Sequence, residues 1–351
     1  MRSAWAHRGW GADLTPDLVT VGGLTVDNVV AADGTVALGQ AGGNGAYSAV
    51  GALHWVGHVG LVSCAVASYP RDTLERFGAG GVDLGGVAWS DERLTSCHWF
   101  IYEEDGRRDE ELSSPPDALG EAGFPTDRLE PEQLDAWRAW LARRDAPDEI
   151  SYSEFRNRHP LMPSQIPASW AGVKGVHLAP SQPDVMLAMI DHFAPGGAIF
   201  TADPGGHLSS RPLDEIAPVL SRLDAFLPSE VELEAMVPGA APGDALRVLA
   251  GRCPGAIAVK LGPKGALVWD RTTDAPVMVP AMRVATLDPT GAGDSFSGGF
   301  LAGLVETGDP VAAARFGAIS AARIVTRFGA DAPLPVDRAA VRDTLNKEFQ
   351  P

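Results

Sequence analysis

The run from Val284 to Phe300, reading VATLDPTGAGDSFSGGF, holds the residues best placed for chemistry. Gly291 and Gly293 let the main chain come close to a ligand. If the run leaves this turn as a helix, the amides of Gly291, Ala292 and Gly293 point outward at its start. The helix dipole favours an anion there. Asp294 falls in the same place. Turn chemistry alone leaves two readings open. The carboxylate could cap the helix, or it could take a proton from a hydroxyl beside a phosphoryl group in transfer. The second explains why an acid stands in a turn that otherwise attracts phosphate.

Such a turn must be held by regular elements. Leu18 to Gly22 reads as a buried strand, and Val29 to Leu38 as a hairpin about Asp33-Gly34. Gly45 to Val56 reads as a helix with an apolar stripe at Ala46, Ala49, Val50 and Leu53. Ser96 to Tyr102, followed by Glu104-Asp105-Gly106, reads as a second hairpin. From 173 onward, strands at 173–178, 198–202, 225–227 and 256–261 alternate with helices at 183–193, 213–223 and 245–250. That alternation predicts a parallel sheet with crossover helices. Residues 266–269 and 277–279 form a hairpin-like pair, and 295–305 and 310–328 long helices. Residues 113–167 carry eight prolines and one amphipathic helix, opened by Pro131 and lined by Leu134, Trp137, Trp140 and Leu141. They read as an inserted surface excursion, and residues 1–17 as a polar arm.

The composition excludes several classes. The 351 residues are 45% hydrophobic and 21% charged, which is globular and not disordered. A net charge of −17 argues against a nucleic-acid partner. The three cysteines, Cys64, Cys97 and Cys253, cannot build a disulfide framework, so a reducing compartment is expected. No secretory h-region and no apolar run of membrane-spanning length occur. The expectation is a cytoplasmic protein with no membrane partner.

Asp288-x-Thr290-Gly291-Ala292-Gly293-Asp294-x-Phe296-x-Gly298-Gly299 closely resembles the C-terminal signature of the ribokinase-like carbohydrate kinases, the PfkB family. The resemblance spans roughly residues 18–335. It implies a three-layer α/β/α fold with a mainly parallel central sheet and a small β-sheet lid, whose strands lie near 28–40 and 97–112. It also implies ATP-dependent phosphorylation of a hydroxyl of a small sugar, sugar acid or polyol. Asp294 is then the base, and the amides of Gly291, Ala292 and Gly293 form the anion hole. Val21 to Asp27 resembles the family's first strand and sugar-binding acid, which implies acceptor contacts from Asp27 and Thr25; a turn-capping Asp27 is the plain alternative. Gly42-Gly43-Asn44 resembles the Gly-Gly segment on which the sugar lies. Pro228 to Glu232 resembles the Asn-x-x-Glu element, with Ser229 toward the nucleotide and Glu232 toward Mg²⁺ through water. Lys260-Leu261-Gly262-Pro263-Lys264-Gly265 resembles the turn beside the nucleotide. The helix and its end at Arg323 to Ala330 resemble the border of the adenine pocket, implying nucleotide contacts from Ala318 and Gly329. Many members hold a monovalent cation such as K⁺ nearby, for which Asp288 is the candidate here. A homodimer joined through the lid is implied as well.

The chain departs from the family pattern at several points. Ala65 to Pro70 replaces the usual Gly-x-Asp-x-x-Gly, Ser229 replaces Asn, and Tyr47 stands where ribokinase has a sugar-contacting Asn. Asp203-Pro204-Gly205-Gly206-His207 replaces Asp-x-Asn-x-Arg, and Pro333 replaces a hydroxyl residue. These changes remove the pointers to ribose and fructose but leave the base and the anion hole. Two rivals follow: a nucleoside kinase with Tyr47, Trp99, Phe100 and Tyr102 stacking on a base, and a non-catalytic sugar- or nucleotide-binding regulator. No GxxxxGK[ST] loop or GxGxxG turn is present. His54 and His58 read as a structural pair. Arg138, Arg143, Arg144, Arg156 and Arg158 read as a solvated face, with a clamp on an anionic substrate as the alternative.

Overall fold

The computed structural model describes residues 15–66, 69–94, 98–103, 108–109, 130–132, 135, 149–271 and 274–349. In chain order the elements begin with β1 (Leu18–Val21), β2 (Thr25–Val30), β3 (Val36–Gly42) and α1 (Asn44–Leu53). Next come β4 (Val59–Val66), α2 (Arg71–Gly80), β5 (Val82–Ser90), β6 (Arg93–Leu94), β7 (His98–Tyr102) and β8 (Arg108–Asp109). They continue with β9 (Glu149–Ile150), α3 (Tyr152–Arg158), β10 (Gly175–Leu178), α4 (Pro183–Phe193) and β11 (Ile199–Ala202). The next are α5 (Gly205–Ser209), α6 (Leu213–Leu220), β12 (Ala225–Phe226), α7 (Glu230–Met236), α8 (Pro242–Ala250) and β13 (Ala256–Lys260). The last are β14 (Ala266–Asp270), β15 (Ala275–Val279), α9 (Ala292–Thr307), α10 (Pro310–Ile324) and α11 (Arg338–Glu348).

Nine strands form one sheet in the order β15-β14-β13-β12-β11-β10-β1-β4-β5. The seven from β13 to β5 are parallel, and β14 and β15 close the edge antiparallel. Strands covered on both faces must be apolar throughout, and β1 and β10 are buried along their whole length. Met189 and Ile190 of α4, Val219 and Leu220 of α6, and Leu246 and Leu249 of α8 cover one face. On the other side, α1 and α9 meet main chain to main chain. A Cβ on Gly51 would strike the Ser295 backbone, and one on Gly298 the Ser48 backbone. This is the three-layer arrangement the family resemblance implies.

The remaining strands build two small sheets. β3-β2-β7-β8 forms a four-stranded sheet, with β2 and β7 parallel and the outer pairs antiparallel. β6 pairs with β9. The expected hairpin at 29–38 is therefore β2–β3, and the one after Ser96 is β7–β8. Residues 57–95, which periodicity leaves unassigned, hold β4, α2 and β5 of the main sheet. The helix expected to reach 328 stops at Ile324, and Gly329 follows at φ +82°.

The amphipathic helix expected after Pro131 falls mostly outside the described residues, as do the arm at 1–14 and the turn at Glu104-Asp105-Gly106. Within 113–167, the part from Glu149 folds against the body. Phe155 and Ile166 are buried in it, and the neighbouring Trp170 packs under β4 and β5, against Gly60 and Gly86. No helix among the described residues is long and apolar enough to cross a membrane.

Candidate active site

Parallel strands bring the residues after their C-terminal ends to one rim. Asp203 follows β11, Ser229 follows β12, and Lys260 ends β13. A bridge sets Ser229 beside Lys260, and the Lys260 amide donates to Pro228 O at 2.8 Å. The Lys260 ammonium donates to Asp203 Oδ2, which also accepts from Ser297 Oγ of α9 at 3.0 Å. Burial opposes the charge on Lys260, but Asp203, Glu232 and Asp294 outweigh it and raise the ammonium above its usual value. Asp203 is pushed up to about 7 by burial, with Lys260 pulling the other way and Glu232 and Asp294 adding to the rise. Glu232 closes a capping box at the start of α7. Its Oε2 accepts from Ser229 N at 2.7 Å and Ser229 Oγ at 2.8 Å, while its own amide donates to Ser229 Oγ at 3.3 Å.

The glycine turn faces this rim. Gly291 caps α9 at φ +72°, ψ 5°, a left-handed conformation that favours glycine. A Cβ there would also strike the Tyr47 ring. Gly293 lies against the Lys260 side chain, whose Nζ would be 3.7 Å from a Cβ on it, an ordinary contact distance. Asp294 stands in the first turn of α9, whose N-cap is Gly291. Burial raises its carboxyl pKa; Lys260 and Arg108 pull it down, and Glu232 and Asp27 add to the rise. Asp288 is buried beneath the turn. Its Oδ1 accepts from Thr290 N at 2.9 Å, and its Oδ2 has no partner among the described residues. Burial pushes its carboxyl up to about 6, against the Thr290 hydrogen bonds.

The residues expected on the acceptor side lie on β2, on β3 and at the start of α1. Asp27 is buried on β2, and its Oδ1 accepts from Thr25 Oγ1 at 2.9 Å. The carboxylate lies against Gly42, where any Cβ would displace it. Gly43 turns the chain at φ +98° so that Asn44 opens α1, and Asn44 Oδ1 accepts from Gly23 N at 2.6 Å. Gly22, Gly23 and Asn44 then line a cavity of about 220 Å³ with Tyr152 and Arg156 of α3.

The structure thus gathers Asp294, Gly291, Ala292, Gly293, Ser229, Lys260 and Glu232 at one rim. Asp27, Thr25, Gly42, Gly43 and Asn44 lie toward the small sheet. Gly265 sits at φ +106° under the Val279 carbonyl, and Gly262 at φ +56° is open on all sides. Ala318 is buried in α10. Gly329 lies against Gln40 and Ala41 of β3, and Val325 O accepts from Leu287 N and Asp288 N. The end of α10 is therefore coupled to the turn and the small sheet. Two proposed stacking residues are committed elsewhere: Tyr47 underlies Gly291, and the Tyr102 hydroxyl meets Thr290. The Trp99 side chain lies outside the described residues. His54 is buried and held to about 3, burial being the main cause, and no metal-binding cluster occurs among the described residues. Sequence reasoning did not place Asp203 in the site, although an acid directly after an apolar strand marked it. It also did not commit to Arg156.

A doubly covered, mainly parallel sheet with a small second sheet is the ribokinase-like fold, and the proteins this chain resembles are kinases. Residues 169–337 match the family model of the pfkB family carbohydrate kinases. A cytidine kinase from Thermococcus kodakarensis is 26% identical over 291 residues, 82% of this chain and 88% of its own. An ATP-dependent ribose-1-phosphate kinase from Halopiger xanaduensis is 26% identical over 335 residues, 93% of this chain and 95% of its own. The structure of Burkholderia thailandensis nucleoside kinase in complex with ADP-inosine aligns over 95% of this chain and 96% of its own, with a TM-score of 0.68 at 18% identity.

Proposed function

We propose that this sugar or nucleoside kinase transfers the γ-phosphoryl group of ATP to a hydroxyl held between Asp27 and Asp294. The observation that carries this reading is Asp294 itself. It is a carboxyl raised by burial in the first turn of α9, beside the N-cap Gly291, which has no side chain to cap the helix. Asp294 takes the hydroxyl proton as the oxygen forms its bond to the γ-phosphorus. The bond from that phosphorus to the β-bridging oxygen breaks, and ADP leaves with the electron pair. The amides of Gly291 and Gly293, with Lys260, receive the charge on the transferring group, and the Ala292 amide joins them by giving up its bond to Pro289 O at 3.2 Å.

Three carboxylates, Asp203, Glu232 and Asp294, influence one ammonium, Lys260. That excess of negative charge opposes a bare triphosphate and fits one carrying Mg²⁺. When bound, Mg²⁺ would offset charge on the phosphate oxygens, and Glu232, whose Oε2 accepts from Ser229, would hold its water shell. The unpartnered Asp288 Oδ2 suits a monovalent cation such as K⁺. The names of the relatives support both a pentose and a nucleoside as acceptor frame. We place the enzyme in the cytoplasm, since its two substrates are intracellular metabolites by class.

Asp294→Asn keeps the shape and removes the base. The expected result is a kcat lower by about 10²- to 10⁴-fold with an unchanged melting temperature. Turnover within a fewfold of wild type would remove Asp294 from the role.

A further inference from the structure

The cavity beside Asn44 has one wall that the transfer reaction does not use. α3 supplies it, and two arginines on that short helix are treated differently. Arg158 pairs with Glu92 at 2.9 Å and with Glu154. Arg156, two residues earlier, faces the cavity and has no carboxylate partner among the described residues. Asp184 lines the same cavity but makes no ion pair with it. The Arg156 guanidinium lies 5.9 Å from the Tyr152 ring centre and donates to His207 Nε2.

The group around His207 has more donors than acceptors. Burial lowers the His207 pKa, and Arg156 and Arg211 add to the effect, so the ring is neutral and has one lone pair. Arg156 uses that lone pair at Nε2, so Nδ1 carries the hydrogen. Gln182 presents its amide nitrogen to Nδ1 at 3.1 Å, and its oxygen accepts from Arg211 at 3.2 Å. Turning the Gln182 amide over satisfies His207 and leaves Arg211 facing an NH₂ group. In either orientation two donors point at each other. Clusters of this kind are relieved by an added acceptor. Ser181 and Gln182, at the start of α4, line the same cavity, and no side chain caps that helix.

We infer that the acceptor carries an anionic group, a phosphate or a carboxylate, which Arg156 receives in this cavity with the Gln182–His207 cluster behind it. The inference rests on the kinase reading above and narrows its acceptor class. Arg156 then determines specificity and has no part in the chemical step. An anion there makes charge-assisted bonds to the guanidinium and gives the surplus donors an acceptor, whereas a neutral sugar edge does neither.

The test is ADP release by the wild-type chain and by Arg156→Gln with three acceptor sets: neutral pentoses and nucleosides, the same sugars carrying a phosphate, and aldonic acids. For one of the two anionic sets, wild-type kcat/KM should exceed that for the neutral set at least tenfold, and that set identifies the anion. Arg156→Gln should reduce this ratio at least tenfold, mainly through KM, and Arg156→Lys should restore part of it. Raising the salt should raise KM for the anionic set only. The inference is overturned if wild type prefers neutral acceptors, or if Arg156→Gln leaves the ratio unmoved. Silence from all three sets would overturn the kinase reading, and this inference with it.

Discussion

The Tyr102 hydroxyl lies 2.8 Å from Thr290 Oγ1, joining the small sheet to the turn that carries the proposed anion hole. Both atoms are buried, and 188 residues separate them in the chain. Tyr102→Phe leaves Thr290 Oγ1 without that partner. The expected cost is about 1 kcal/mol of stability, read by urea unfolding. A several-fold fall in kcat should accompany it if the small sheet acts as a lid over the turn. Unfolding changed with kcat intact would show a purely structural bond.

Asp294 yields a pH prediction. Burial raises its carboxyl above the ordinary value of 3.8, and a base must be deprotonated to work. Activity should therefore fall as pH drops through this raised value, giving kcat an acid limb above the ordinary carboxylate range. A kcat flat down to pH 4 would contradict the assignment.

The Lys260–Asp203 pair is nearly sealed, with side-chain exposures of 12% and 4%. Lys260→Met leaves Asp203 buried without its cation, and stability should fall by about 3–5 kcal/mol. Lys260→Met with Asp203→Leu should cost less than the single change, as guanidinium unfolding of the two variants would show.

Asp288 has a folded pKa of about 6 against 3.8 in the unfolded chain. The folded protein therefore holds its proton more tightly, and the group's contribution to stability rises as pH falls from about 6 toward 3.8. Above pH 6 the charged form costs about 3 kcal/mol. Asp288→Asn should thus gain stability relative to wild type as pH rises from 5 to 8. At pH 8, replacing a bulky organic cation by K⁺ should raise the melting temperature of wild type but not of Asp288→Asn. Equal responses would leave K⁺ without a site at Asp288.

What the sequence made legible was local. Gly291, Gly293 and Asp294 are neighbours along the chain, so a glycine turn running into a helix could be read from one short run. The alternation after 173 exposed the parallel sheet for the same reason. The site's other half depends on distant pairing: Lys260 and Asp203 are 57 residues apart, and Arg156 and His207 are 51 apart. Only the strand order and the docking of α3 bring them together, and neither has a periodic signal. The crossing of 57–95 into the main sheet was hidden likewise, because β4 and β5 owe their place to partners far along the chain.

The direct backbone contact between α1 and α9, through Gly51 and Gly298, has a consequence for how such an enzyme can diversify. One helix begins at Asn44 and the other at Ala292, two residues before Asp294, with no layer of side chains between them at the crossing to swell or shrink. The span between the two reactant seats is therefore set by main chain alone. On the proposed reading, substrate preference can drift through changes in the segment around Arg156 while the gap the phosphoryl group would cross stays constant.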